Sequence, residues 1–301
     1  MKAIQFSEFG GPEVLQLVEL PDPHPAPGQV RVAVRAVGVN PIDWKVRSGM
    51  MGGELPQTTG REVAGTIDEV GEAVGDASVG DPVFGFAAEG AGAAELSLVG
   101  PYFPIPSTLT FVQAAGLPVA VETAARTLDL LGVRSGTSLL VNGAAGAVGS
   151  SAVQLAVARG ARVIGTASQS NHEYLRTLGA QATVYGDGLA ERVTELAPGG
   201  VDFALDAFGG GALPELVSVT GNQEQVITVA DYQGAQETGA RFSGGAGTTR
   251  ALYALKEIGE LIESDKFSLP VQRTFPLERI GEAHELSRAG HVRGKLVLVV
   301  G

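Results

Sequence analysis

Leu139-Leu140-Val141-Asn142-Gly143-Ala144-Ala145-Gly146-Ala147-Val148-Gly149-Ser150 carries an apolar strand into a glycine-spaced turn and on into a helical stretch from Ser151 to Arg159. Gly160 stops that helix, and Arg162-Val163-Ile164-Gly165-Thr166-Ala167 reads as a second strand. The order is that of a βαβ unit. Its glycines have separate tasks: Gly143 permits the tight turn, Gly146 lets backbone N–H groups reach a pyrophosphate, and Gly149 brings helix and strand close. The helix N-terminus then faces the anion. The spacing is G-x-x-G-x-x-G, so the reading rests on the flanking strands and helix. Gly143, Ala145, Gly146, Ala147 and Val148 are the loop residues expected to touch a dinucleotide.

Which dinucleotide is decided after the second strand, about 20 residues beyond the loop, where an acidic side chain would hold the ribose of NAD. Ser168-Gln169-Ser170-Asn171-His172 stand there instead, and no carboxylate comes before Glu173. Nothing in that stretch repels a 2′-phosphate, and Ser168, Asn171 and His172 offer hydroxyl, amide and imidazole groups to hold one. Arg176, one turn later, is an alternative phosphate partner. NADP(H) is therefore expected over NAD(H).

Composition narrows the partners. The chain has 301 residues, 44% of them hydrophobic, enough for two domains and a sizeable core. With 33 acidic against 21 basic residues the net charge is −12, which argues against nucleic acid or an anionic membrane as a partner. There is no cysteine, hence no disulfide, thiolate nucleophile or sulfur-ligated metal. The N-terminal residues read as a short strand without the apolar core of a signal peptide, and the longest apolar runs are broken by Glu122, Arg126 and Asp129 or by the glycine loop. A cytoplasmic location is expected.

The first hundred residues are short strands punctuated by Gly and Pro, with Gln29 to Val37 alternating polar and apolar. They predict a β-rich, barrel-like domain. From about residue 110 helix and strand alternate: helices over 111–117, 121–131 and 189–197, and strands over 182–185, 201–206 and 225–229. Such alternation predicts a doubly wound parallel sheet covered on both faces. The loops Ala207-Phe208-Gly209, Val229-Ala230 and Arg241-Phe242-Ser243 follow later strands, where the cofactor crevice of such a sheet lies. A helix over 248–264, another over 277–289 and a strand over 295–300 form a tail expected to rejoin the first domain. The fold class is therefore α/β, with one domain over 1–113 and 248–301 and a Rossmann domain over 114–247.

Several separate stretches then coincide with one family. Phe9-Gly10-Gly11-Pro12-Glu13-Val14-Leu15, Gly38-Val39-Asn40-Pro41-Ile42-Asp43, Gly60-Arg61-Glu62-Val63-Ala64-Gly65, Ala114-Ala115-Gly116-Leu117-Pro118, the glycine loop and Gly290-His291-Val292-Arg293-Gly294-Lys295 resemble the medium-chain dehydrogenase/reductase superfamily, in its zinc-independent quinone oxidoreductase branch. The resemblance covers nearly the whole chain and implies a GroES-like first domain. In zinc-dependent members a cysteine ligand stands where this chain has Asn40, and a His-Glu pair where it has Arg61-Glu62, so no metal site of that kind is expected.

The chemistry implied is metal-free, NADPH-dependent hydride delivery to a quinone or an α,β-unsaturated carbonyl, whose developing oxyanion hydrogen-bond donors can stabilise. By resemblance, Asn40 lies near the nicotinamide ribose and substrate, Thr123 faces the same ribose, and Tyr185 lies beside the adenosine 2′-phosphate. Lys45, in Asp43-Trp44-Lys45, resembles a lysine of plant enone reductases that draws electrons toward the substrate carbonyl. Lys295 is expected to reach back to the cofactor. The lysine that relatives place after Ser168 is absent, as is the tyrosine proton donor of enoyl thioester reductases. A pathway-specific enoyl reductase and a non-catalytic NADPH-binding protein are the alternatives. The resemblance also allows a homodimer, with the 225–229 strand as its candidate edge.

Overall fold

The computed structural model describes residues 1–245 and 247–301, and the chain divides into two compact units, Met1–Val119 with Leu269–Gly301, and Ala120–Ser268. The first opens with β1 (Lys2–Phe6), β2 (Gln16–Glu19), β3 (Val30–Val39), α1 (Pro41–Arg47), β4 (Gln57–Thr58), β5 (Glu62–Val70), β6 (Pro82–Ala87), β7 (Leu96–Pro104) and α2 (Phe111–Ala114). Helix α3 (Leu117–Leu131) leads into β8 (Ser138–Asn142), α4 (Ala147–Ala158), β9 (Arg162–Thr166), α5 (His172–Thr177), β10 (Gln181–Thr183) and α6 (Leu189–Leu196). Then come β11 (Phe203–Asp206), α7 (Leu213–Thr220), β12 (Val226–Thr228), α8 (Tyr232–Thr238), β13 (Arg241–Phe242) and α9 (Tyr253–Glu263). The chain ends in β14 (Val271–Pro276), α10 (Ile280–Ala289) and β15 (Lys295–Val299).

Period-two alternation builds the β-rich unit. Val30, Val32 and Val34 of β3 are buried while Arg35 is exposed, and they meet Val63, Ile67, Val83, Val99, Leu296 and Leu298 in one core. The sheet order is β14-β15-β3-β5-β6-β7, and β3 pairs with β7 as well, which closes the strands between them on themselves. The tail returns as expected, β15 running antiparallel to β3.

The second unit holds six parallel strands in the order β10-β9-β8-β11-β12-β13. The chain runs outward from β8 to β10, returns to lay β11 on the other side of β8, and runs outward again. That reversal beside β8 is the switch point at which open α/β sheets of this order bind ligands.

Several expected boundaries move. The helix after the glycine loop begins at Ala147 rather than Ser151, so Ala147 and Val148 lie in its first turn. Helix α3 begins at Leu117, with Pro118 in the first turn where its missing N–H costs nothing, which places Thr123 inside the helix rather than at a cap. The third strand stops at Thr183, before Tyr185. The 225–229 strand is no edge: β12 is flanked by β11 and β13, and the two-residue β13 takes the edge. Residues 248–268 belong to the second unit, tied there by the Tyr253 hydroxyl donating to Asp129 Oδ2 at 2.8 Å and the Ala251 N–H donating to Glu122 Oε1 at 3.2 Å. Among the described residues no helix is long and apolar enough to cross a membrane.

A buried histidine makes the first unit acid-sensitive. His284 on α10 is 1% exposed, and burial, aided by the Arg47 guanidinium, pushes its pKa from 6.5 down to about 3. The unfolded chain therefore binds a proton that the folded chain refuses, so this contribution is complete above pH 6.5 and is lost as pH falls toward 3. Urea unfolding at pH 7 and pH 5 should show roughly 2 kcal/mol of extra loss in the parent relative to His284→Leu. Equal acid losses in the two proteins would contradict it.

Candidate active site

The glycine loop is packed from below by the sheet. The Ala144 N–H donates to Thr166 O at 2.9 Å, and the Gly143 N–H donates to the Thr166 hydroxyl at 3.1 Å. Gly143 has φ +76°, and a Cβ there would stand 2.7 Å from the Phe208 Cβ, so the turn and the loop after β11 touch. At Gly149 a Cβ would meet Gly143 O at 2.2 Å, which only hydrogen tolerates. Gly146, by contrast, has open space: its nearest neighbour would be 3.6 Å away. This is a cradle whose vacant side is at Gly146 and whose floor is the N-terminus of a twelve-residue helix, as a pyrophosphate requires.

A rail of hydrogen bonds joins the carboxyl ends of four strands. The Thr166 hydroxyl donates to Asn142 Oδ1 at 2.7 Å, Asn142 Nδ2 donates to Asp206 Oδ1 at 2.9 Å, and the Thr228 hydroxyl donates to Asp206 Oδ2 at 2.7 Å. Asp206 Oδ1 also accepts the N–H groups of Phe208 and Gly209, while the Thr228 hydroxyl oxygen accepts those of Ala230 and Asp231. All four rail side chains are at most 2% exposed. The rail thereby sets Ala207, Phe208, Gly209, Val229 and Ala230 along one edge of the sheet, beside the glycine loop. The sequence reading named those loops without the side chains that hold them.

The other expected cofactor residues are distributed around that edge. After β9, Asn171 Nδ2 donates to the Ser168 hydroxyl at 3.1 Å and His172 Nε2 lies 3.3 Å from Ala167 O. Tyr185 is half exposed in a turn fixed by Arg192, whose guanidinium donates to the carbonyls of Val184, Gly186 and Asp187. Phe242 packs edge-on to Tyr232, ring centroids 5.2 Å apart. Thr123 lies buried against an ion pair of Glu122 and Arg126, the latter also bonded to the Ser243 hydroxyl.

In the first unit Asn40 and Lys295 come together, though 255 residues apart. Lys295 Nζ donates to Asn40 Oδ1 at 2.6 Å and lies 2.5 Å from Glu62 Oε1, and Asn40 Nδ2 donates to the same Glu62 oxygen at 2.8 Å. Glu62 Oε2 accepts the Val119 N–H at 2.6 Å. All three side chains are at most 5% exposed. Gly38 makes room for them, since a Cβ there would stand 2.3 Å from Glu62 Oε1. The arrangement does not fit zinc: an ammonium already neutralises the one carboxylate of the trio, and a second cation would be repelled. Among the described residues no group of three or more His, Cys, Asp or Glu side chains is placed to hold a metal. Lys45 lies on α1, its Nζ 5.8 Å from the Trp44 ring centroid.

Near α1 a pocket of about 250 Å³ opens in the first unit, lined by residues that include Asp43, Val46, Thr59, Arg61 and Glu89. Asp43 is 3% exposed, and its Oδ2 accepts the Asn40 N–H at 2.7 Å across the first turn of α1. Burial pushes its carboxyl up to about 6, against the pull of that N–H and of Arg61 and Lys295. The sequence reading quoted Asp43 and Glu62 but gave neither a role at the site. A buried acid beginning an apolar strand at Glu62 was the available signal, since such a charge demands a partner.

Comparison with known proteins agrees with this architecture. Residues 26–101 match the alcohol dehydrogenase GroES-like domain family, and residues 178–298 the zinc-binding dehydrogenase family. The chain is 32% identical to the quinone oxidoreductase of Rattus norvegicus, over 100% of this chain and 98% of that one. It is 33% identical to a chloroplastic NADPH-dependent alkenal/one oxidoreductase of Arabidopsis thaliana, over 99% of this chain and 79% of that one. Among solved structures, Escherichia coli quinone oxidoreductase complexed with NADPH superimposes with a TM-score of 0.88 at 27% identity, covering 99% of this chain and 100% of that one. With a GroES-like unit, a six-stranded doubly wound sheet and relatives aligned from end to end, the chain belongs to the medium-chain dehydrogenase/reductase superfamily, in its quinone oxidoreductase-like branch.

Proposed function

We propose that this protein is an NADPH-dependent, metal-free reductase of quinones or α,β-unsaturated carbonyls. The observation that carries the reading is the glycine cradle over the N-terminus of α4, paired with a ribose end, Ser168 to His172, that holds no carboxylate. Relatives named as quinone and NADPH-dependent alkenal/one oxidoreductases support it. When bound, NADPH supplies the hydride and its two electrons. The backbone N–H groups of Ala147 and Val148, over the open space at Gly146, are assigned to the pyrophosphate, and Ser168, Asn171, His172 and Tyr185 to the 2′-phosphate. Phe208, Val229, Ala230 and Phe242 border the cofactor, with Thr123 toward its nicotinamide ribose. Asn40, held at both ends of its amide by Glu62 and Lys295, presents a fixed dipole to cofactor and substrate, and Lys45 draws electron density toward the substrate oxygen.

Steady-state assays with NADPH and NADH across a panel of small quinones and enones test the reading. Charge-assisted bonds to the 2′-phosphate are worth roughly 1.5–3 kcal/mol, so kcat/KM is expected to favour NADPH by about 10–100-fold. No turnover across the panel would remove the function, and a preference for NADH would remove the cofactor assignment.

A further inference from the structure

Reduction of an enone needs a proton at the α-carbon as well as a hydride, and the tyrosine donor of enoyl thioester reductases is absent. The five tyrosines of the chain are 102, 174, 185, 232 and 253, and none belongs to the segments around Asn40. Tyr102 of the first unit donates its hydroxyl to Asp76. The wall of the pocket beside α1 contains neither histidine nor tyrosine, and its two acids are Asp43 and Glu89. Glu89 is exposed, whereas Asp43 is buried.

The position of Asp43 suits an acid that gives and regains a proton. Its Oδ2 is engaged by the Asn40 N–H at 2.7 Å, which anchors the carboxyl in the pocket wall. The charged groups around it are Arg61 and Glu62 at the start of β5, Lys295 on β15, Glu89 in the pocket wall, and Lys45 and Arg47 on its own helix. Arg61 and Lys295 favour the carboxylate, while burial and Glu62 favour the acid, and burial wins, leaving the group to titrate at about 6. An acid that titrates near neutrality is present in both forms there and can cycle.

Resting on the proposed enone reduction, we propose that Asp43 is the proton donor that completes it, passing its carboxyl proton to the α-carbon of the substrate enolate. The Asp43 O–H bond breaks and a C–H bond forms at the α-carbon from the enolate electron pair, while the enolate oxygen returns to a carbonyl. Negative charge moves from substrate to Asp43, and the carboxylate is reprotonated by water through the pocket. Because the acid stands on one wall, the proton arrives on one face of the substrate.

The test uses an α-methyl enone in heavy water with the full-length enzyme. The parent is expected to place deuterium at the α-carbon in a single configuration. Asp43→Asn, which retains an oxygen to accept the Asn40 N–H, is expected to give both configurations and to lose turnover by on the order of 100-fold. Circular dichroism and thermal unfolding check that this variant is folded. Unchanged α-selectivity in Asp43→Asn overturns the assignment, whereas a parent inert toward every enone overturns the reduction itself. A second measurement needs no turnover: carbon NMR of the labelled Asp43 carboxyl is expected to show a midpoint near 6 that rises in Arg61→Gln, where an attractive cation is lost. The pH above which α-selective protonation is lost should move up with it, and a loss that stays in place overturns the assignment.

Discussion

Gly149→Ala is expected to destabilise the second unit by about 1–3 kcal/mol and to weaken NADPH binding at least tenfold, whereas Gly146→Ala is expected to weaken binding with stability within about 0.5 kcal/mol of the parent. The difference follows from what each new methyl meets. At Gly149 it stands 2.2 Å from Gly143 O and 2.8 Å from the Ala144 Cα, both backbone atoms that cannot turn aside. Relief would require α4 to lift from β8, but the loop is tied by two bonds to Thr166, and Ala144 is itself pressed against Gly165, where a Cβ would lie 2.7 Å from the Ala144 Cβ. At Gly146 the backbone is extended, with φ −73°, and an added Cβ would meet nothing nearer than 3.6 Å, so alanine fits the free protein and intrudes only on a bound phosphate. Thermal unfolding together with NADPH fluorescence titration separates the two effects. A Gly146→Ala variant that binds NADPH as the parent does would mean that the pyrophosphate does not sit over this turn.

The legible parts of this chain are those whose signals are local. A strand, a glycine turn and a helix occupy consecutive residues from Leu139 to Ala158, so each supports the reading of the next. The start of α3 at Leu117 is less legible, because Pro118 and the β-branched Val119 and Val121 suit a loop or strand as well as a first helical turn. The missing pieces of the site are pairings between distant residues. Thr166, Asn142, Asp206 and Thr228 each look like a polar residue ending an apolar strand, and only the strand order makes them neighbours. Likewise Glu62 and Lys295 are buried charges whose partners lie on strands from opposite ends of the chain. Burial of such groups is unaffordable singly and acceptable jointly, a property no local window reveals.

That dependence on partners makes Asp206 the costliest single truncation along the sheet edge. Asp206→Ala is expected to lose about 3–5 kcal/mol, because Asn142 Nδ2, the Thr228 hydroxyl and the N–H groups of Phe208 and Gly209 all lose their acceptor at a site with 0% exposure. Asp206→Asn should lose less, since one amide oxygen still receives the donors now on Oδ1, while its NH₂ meets a Thr228 hydroxyl that already accepts two backbone N–H groups. Urea unfolding ranks the variants, and hydrogen exchange locates the damage. Faster exchange is expected at Phe208, Gly209, Ala230 and Asp231, with little change in the β3–β5 ladder of the first unit. NADPH affinity should fall in both variants even where the fold survives, because loops freed from the rail must be ordered again on binding. A loss below about 1 kcal/mol in Asp206→Ala would show that the loops hold themselves. The edge would then be set by strand pairing alone, and the positions of Phe208 and Ala230 would owe nothing to the carboxylate beneath them.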